Sequence, residues 1–312
     1  MRRLSSQKAL PWLLEGENPS VRYFALRDLY GKGEGDPEVR EAKQAIMENG
    51  PVRKILSLQK PEGWWTRPEG VFVPIHQGTG WQVAFLSELG ADPKHPKVKR
   101  GLEYVLEKMV QRDGTAFAVS HSKYMDCYLG VALDSFLRLG YLEDERVQWL
   151  VSHTSERVLK DRLKCKYRHN LACPWGGVKE LRAFARIPEG KRTPEVKAAM
   201  AKIAEFLLKY DLARAAYPRK NKVSGHWFQF AFPRTYNADI LEVLDALALA
   251  GYGRERALGK AIEFMLSKQD QEGRWKMETS YNGKMLADIE EKGKPSKWLT
   301  LRALRVLKAR YG

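Results

Sequence analysis

The chain has 312 residues, 44% hydrophobic and 29% charged, with 54 lysines and arginines against 38 aspartates and glutamates, a formal net charge of +16. That length allows one large or two ordinary domains with a sizeable core, and the composition excludes a disordered or low-complexity chain. Three cysteines are too few for a disulfide framework, the first residues carry no apolar run of signal-peptide length, and no stretch reaches about 18 uninterrupted apolar residues, so the expectation is a cytoplasmic chain with no membrane span.

The predicted elements come as pairs of helices at about 50 residues per unit. Apolar-periodic runs at 21–29, 81–89, 129–139 and 240–249 close on Gly31, Gly90, Gly140 and Gly251, as helix C-termini do. Starts such as Asp36-Pro37-Glu38-Val39, Asp92-Pro93, Glu143-Asp144-Glu145 and Thr193-Pro194-Glu195-Val196 open the second, more amphipathic member. In chain order the amphipathic helices fall near 3–14, 38–58, 96–110, 144–159, 194–209 and 254–268. Their more apolar partners fall near 19–30, 78–89, 125–139, 174–186, 237–250 and 296–308. No segment reads as a sheet strand, so the fold class is all-α.

Six such pairs suit a closed ring with the apolar helices inside, a single domain over 1–312. The connections from outer to inner helix are long, at 59–77, 111–124, 160–173, 210–236 and 269–295, and in a ring they share one rim with the inner-helix N-termini. Unpaired N–H groups there make that rim electropositive. The basic excess suits an anionic partner, whether nucleic acid, acidic lipid surface or phosphorylated small molecule. Because lysine and arginine are spread along the whole chain, a solvated surface accounts for much of it.

The segment Lys260-Ala261-Ile262-Glu263-Phe264-Met265-Leu266, followed by Gln269, Gly273 and Trp275, resembles the Gln-Trp repeat of squalene and oxidosqualene cyclases and of protein prenyltransferase β-subunits. Weaker copies are 55–58 with Gln59, Gly63 and Trp64, and Val105-Leu106 with Gln111 and Gly114. The segments 18–23, Gly78-Thr79-Gly80-Trp81, 236–242 and 294–298 are similar to prokaryotic members of the same superfamily. The resemblance implies an α/α toroid in which glutamine braces helix ends and tryptophan covers them. It implies an isoprenoid-type ligand as well. The Asp-x-Asp-Asp acid of type II cyclases is missing, and Asp126 and Cys127 are adjacent rather than two apart as in the zinc ligands of prenyltransferases. No complete catalytic set is legible, which leaves enzyme status open.

Three groups of candidate residues remain. Cys165, His169 and Cys173 have the spacing C-x3-H-x3-C, and with Cys127 they make a possible Cys3His zinc site; the other reading is three reduced cysteines and an ordinary loop histidine. Asp126 and Asp239 open inner helices and, with His121, are candidates for acid–base catalysis, or the two aspartates are N-caps. Trp65, His76, Trp81, Lys220, Lys222, His226, Trp227, Tyr236 and Trp298 are candidates for binding an amphipathic anionic small molecule in the central cavity of the ring, the lysines at its phosphate-like head on the rim and the aromatics at its tail within the ring. The alternative is a non-catalytic binding or scaffold protein, with nucleic acid as a partner through the same basic and aromatic residues.

Overall fold

A computed structural model describes residues 2–48, 50–113, 116–119, 126–161 and 163–312. Thirteen α-helices stand among these residues, and 59% of the residues described are helical. The amphipathic set is α1 (Arg2–Leu13), α3 (Pro37–Ala45) with α4 (Gly50–Ser57), α6 (Pro96–Met109), α8 (Glu145–Asp161), α10 (Pro194–Leu208) and α12 (Gly259–Ser267). The apolar set is α2 (Pro19–Asp28), α5 (Thr79–Glu88), α7 (Asp126–Arg138), α9 (Pro174–Arg186), α11 (Ile240–Leu249) and α13 (Lys297–Tyr311).

The helix starts follow local chemistry. Asn18, Asp36, Thr193, Asp239 and Ser296 each accept a backbone N–H of the first turn through a side-chain oxygen, and proline occupies the first turn of α2, α3, α6, α9 and α10. Proline has no N–H to lose there and its fixed φ suits the first helical position. The expected helix over 38–58 is broken instead into α3 and α4. Gly50-Pro51 explains the break, because a proline ring inside a continuous helix removes a hydrogen bond and clashes with the preceding turn.

The apolar helices pack in sequence: α5 on α7, α7 on α9, α9 on α11, α11 on α13, and α13 back on α2. Each amphipathic helix packs against an apolar one, α3 on α2, α6 on α5, α8 on α7, α10 on α9, α12 on α11 and α1 on α13. One hydrophobic core cluster runs from Leu13 to Val306.

The expectation of no strand is corrected by three short antiparallel ladders. They are β1 (Val110–Asp113) with β2 (Ala116–Val119), β3 (Lys164–Cys165) with β4 (Leu171–Ala172), and β5 (Trp275–Lys276) with β6 (Pro295–Ser296). All three close long connections into the helix that follows, which pairs backbone groups that would otherwise need water.

Two of the connections share one device. Gln59 donates to the carbonyls of Gly63 and Lys97 at 3.1 and 2.9 Å, bracing the start of α6. Gly63 and Gly273 both take left-handed φ, +103° and +77°, and let the chain turn a buried indole back onto the preceding helix. The indole in the first copy is Trp65, not Trp64. Trp65 and Trp275 are fully enclosed.

The interior between the apolar helices is not purely apolar. Glu88, Asp134, Glu242 and Asp245 are buried together with Lys179, Arg182, Arg234 and Arg302, four acids against four bases. Arg182 lies 3.0 Å from Glu88 and 3.1 Å from Asp134, Arg234 lies 3.1 Å from Glu88 and also bonds Asp245, and Lys179 lies 2.6 Å from Glu242. Arg302 approaches Glu88 at 3.4 Å. Burial opposes the charge on Glu88, but Arg302, Arg234 and Arg182 outweigh it and hold this carboxyl well below the usual carboxylate range. Pairing on this scale is what makes buried charge tolerable.

Candidate functional site

Four segments far apart in the chain meet around a cavity of about 330 Å³. Cys127 reaches it from the first turn of α7. Cys165, Tyr167, Arg168 and His169 reach it from β3 and the turn behind it, and Cys173 and Trp175 from the start of α9. Tyr217, the 219–224 stretch and Tyr236 form the facing wall. The structure thus brings together all four expected metal ligands, both expected lysines and Tyr236.

The walls are aromatic and the edge is basic. Trp175 and Tyr236 meet edge to face with centroids 6.2 Å apart, and Arg168 lies over the Tyr217 ring at 5.0 Å. Arg168 is also fixed by donating to the carbonyls of Ala172 and Pro218 at 2.6 and 2.7 Å, and Arg219 by donating to Ala215. Lys220 and Lys222 are exposed and make no ion pair among the described residues, and no aspartate or glutamate lines the cavity. A bound anion would therefore meet free ammonium groups with no competing carboxylate.

The cysteines occupy one wall. Cys173 and Cys165 are hydrogen-bonded through their sulfurs, and that bond together with burial holds the Cys173 thiol well above its ordinary range. Among the described residues no three histidine, cysteine, aspartate or glutamate side chains are arranged to hold a metal ion.

Other expected site residues lie elsewhere. Trp65, Trp81 and Trp227 have no exposed surface, and their indole N–H groups donate to the carbonyls of Ile55, Phe72 and Leu212 at 2.7, 3.1 and 2.8 Å. They pack the connections. Trp298 is 3% exposed and stacks on Phe232 with centroids 4.3 Å apart. His76 is buried against Tyr281, centroids 4.4 Å apart, and burial with the Lys284 charge pulls it down to about 4, leaving it neutral.

Asp239 is an N-cap: one oxygen accepts from Glu242 N–H at 2.8 Å and the other from Ala231 N–H at 3.1 Å. Burial, helped by the Glu242 charge, pushes it up to about 6. His226 and Asp239 share the lining of a separate hole of about 10 Å³, which has no room for a substrate. Asp126 begins α7, with its side chain outside the described residues, and His121 lies outside them altogether.

Sequence reading sets Arg168 beside the cysteine and histidine group but not over an aromatic wall, and it misses Tyr217 and the buried ion network. The short spacing of Arg168 from Cys165 and His169 was the one available signal for its place in the cavity. No protein-family model matches the chain, and no curated protein matches it as a relative.

Proposed function

We propose that the chain is a single-domain α/α toroid of the terpenoid cyclase and prenyltransferase type that binds an amphipathic anionic ligand, of isoprenoid diphosphate chemistry, at its rim. The toroid reading is supported by the order in which the apolar helices pack, with α13 returning to α2, and by the repeated tryptophan device. The ligand reading rests on one observation, a cavity walled by Trp175, Tyr217 and Tyr236 and edged by unpaired Lys220 and Lys222. Burial of the tail against aromatic faces and of the head against ammonium groups uses both halves of that lining.

The tail lies in the rim cavity and not along the middle of the ring, where ionised side chains fill the space between α5, α9, α11 and α13. An apolar chain placed there would strip those charges of their partners.

Thermal unfolding with and without farnesyl diphosphate tests the reading. Ligand at about 100 times its Kd adds about 2.7 kcal/mol to the folded state, and pyrophosphate or farnesol alone should shift Tm less, since each meets half the lining. Lys220→Ala with Lys222→Ala should weaken the diphosphate effect, and Trp175→Ala the farnesyl contribution. No shift with the diphosphate, together with a salt-sensitive shift from short oligonucleotides, would transfer the site to nucleic acid.

A further inference from the structure

The cavity wall contains a thiol pair that ligand binding does not use. In the β3–β4 ladder Cys165 stands opposite Leu171, and Cys173, just past β4, donates its N–H to the Leu163 carbonyl at 2.9 Å. Positions 165 and 173 therefore lie on one face of the ladder, 165 on β3 and 173 one residue past β4. Their sulfurs are in hydrogen-bond contact. None of the three cysteines is in a disulfide, and all three line the cavity. They differ in access: Cys173 is 7% and Cys127 8% exposed, whereas Cys165 is half-buried at the cavity wall.

We propose that Cys165 and Cys173 are a modification site, a dithiol that closes to an intramolecular disulfide by exchange with a small anionic disulfide of the glutathione class. Cys165, the accessible member, attacks one sulfur of the small disulfide, whose other half leaves as a thiol and takes a proton. Cys165 then carries a mixed disulfide. Cys173, already in contact, attacks the Cys165 sulfur, and the second half of the reagent leaves as a thiol. Two protein thiols are oxidised by two electrons and one small disulfide is reduced to two thiols, so the exchange balances with no further oxidant. The basic edge formed by Arg168, Lys220 and Lys222 favours approach of a reagent that carries carboxylates. The bond would tie the start of α9 to the turn that holds Arg168 and His169, fixing one wall of the cavity.

The experiment uses the reduced full-length chain with glutathione disulfide and no other ligand, so its result is independent of what the cavity binds. Free thiols should fall from three to one, with peptide mapping joining Cys165 to Cys173. Cys173→Ser should trap glutathione on Cys165, Cys165→Ser should keep its remaining thiols free, and Cys127→Ser should form the bond as the parent does. Circular dichroism on each variant separates a folding defect from a chemical one. Three free thiols at equilibrium, a bond involving Cys127, or a tightly held zinc ion that blocks exchange would overturn the proposal.

Discussion

Trp65 and Trp275 make the same pair of hydrogen bonds in two distant parts of the chain. Each indole N–H donates at 2.7 Å to the carbonyl ten residues upstream, Ile55 and Met265, and each backbone N–H donates at 3.1 Å to a threonine of the next apolar helix, Thr79 and Thr300. One residue thus ties the end of an amphipathic helix to the start of its apolar neighbour.

Trp275→Ala should therefore destabilise the protein by about 3–5 kcal/mol, the cost of emptying a tryptophan-sized space in a core. Trp275→Phe keeps most of the volume and should cost about 1–3 kcal/mol, because the Met265 carbonyl loses its indole donor and keeps only the Lys268 N–H at 3.2 Å. Urea denaturation measures both. Equal losses for the two variants would mean that volume alone matters.

The Lys179–Glu242 pair is expected to show strong coupling. Lys179→Met leaves Glu242 with Arg182 and Arg234 at 3.8 and 3.5 Å, and Glu242→Leu leaves Lys179 with only the Asn237 carbonyl at 2.8 Å. Each single change should cost about 3–5 kcal/mol, since a buried charge loses its partner. The double variant keeps the charge balance and should cost clearly less than the two singles summed, which a double-mutant cycle reads directly.

Asp239 and His76 should give opposite pH trends. The folded value of Asp239, about 6, lies above the ordinary 3.8, so the native state holds the proton more tightly and stability falls as pH rises through that window. For His76 the folded value, about 4, lies below the ordinary 6.5, so the unfolded state takes the proton first and stability falls as pH drops from 6.5 toward 4. Asp239→Asn keeps a cap oxygen and should remove the first trend; His76→Gln should remove the second. Stability measured from pH 4 to 7 on parent and variants checks the signs.

Gly130 sets how closely α7 approaches α9. A Cβ built there would lie 2.6 Å from the Lys179 Cβ and 2.8 Å from the Glu180 backbone nitrogen. Since backbone cannot swing aside as a side chain can, Gly130→Ala should cost about 1–3 kcal/mol despite the better helix propensity of alanine. Chemical denaturation would show this, and a stabilised variant would contradict the close approach.

The helix pairs were legible because capping residues, first-turn prolines and terminal glycines act locally, and nearly every helix falls where those signals place it. The ladders were not legible: two paired residues, as in Lys164–Cys165 with Leu171–Ala172, carry no alternation to detect. Nor could the sequence tell which aromatics pack and which face a cavity. Trp227 and Tyr236 both sit in the long connection before α11, yet one is enclosed and the other lines the cavity wall. The thiols, Lys220 and Lys222 met only through folding. Arg182 and Glu242 stand as isolated charges on the apolar helices, and nothing local names their partners, tens of residues away.

Glu88 shows what the buried network asks of the chain as it is made. Its carboxylate bonds Arg182, Arg234 and Arg302, which follow it by 94, 146 and 214 positions. During synthesis those partners emerge in turn, and the last belongs to α13. Until α13 arrives, Glu88 lacks one of its cations and the hydrophobic core lacks Leu299, Leu301 and Val306. Loop closures of this length are slow and are rewarded only when complete. The protein is therefore built to fold only once α13 has been made, and a chain ending before Lys297 should give no single cooperative unfolding transition.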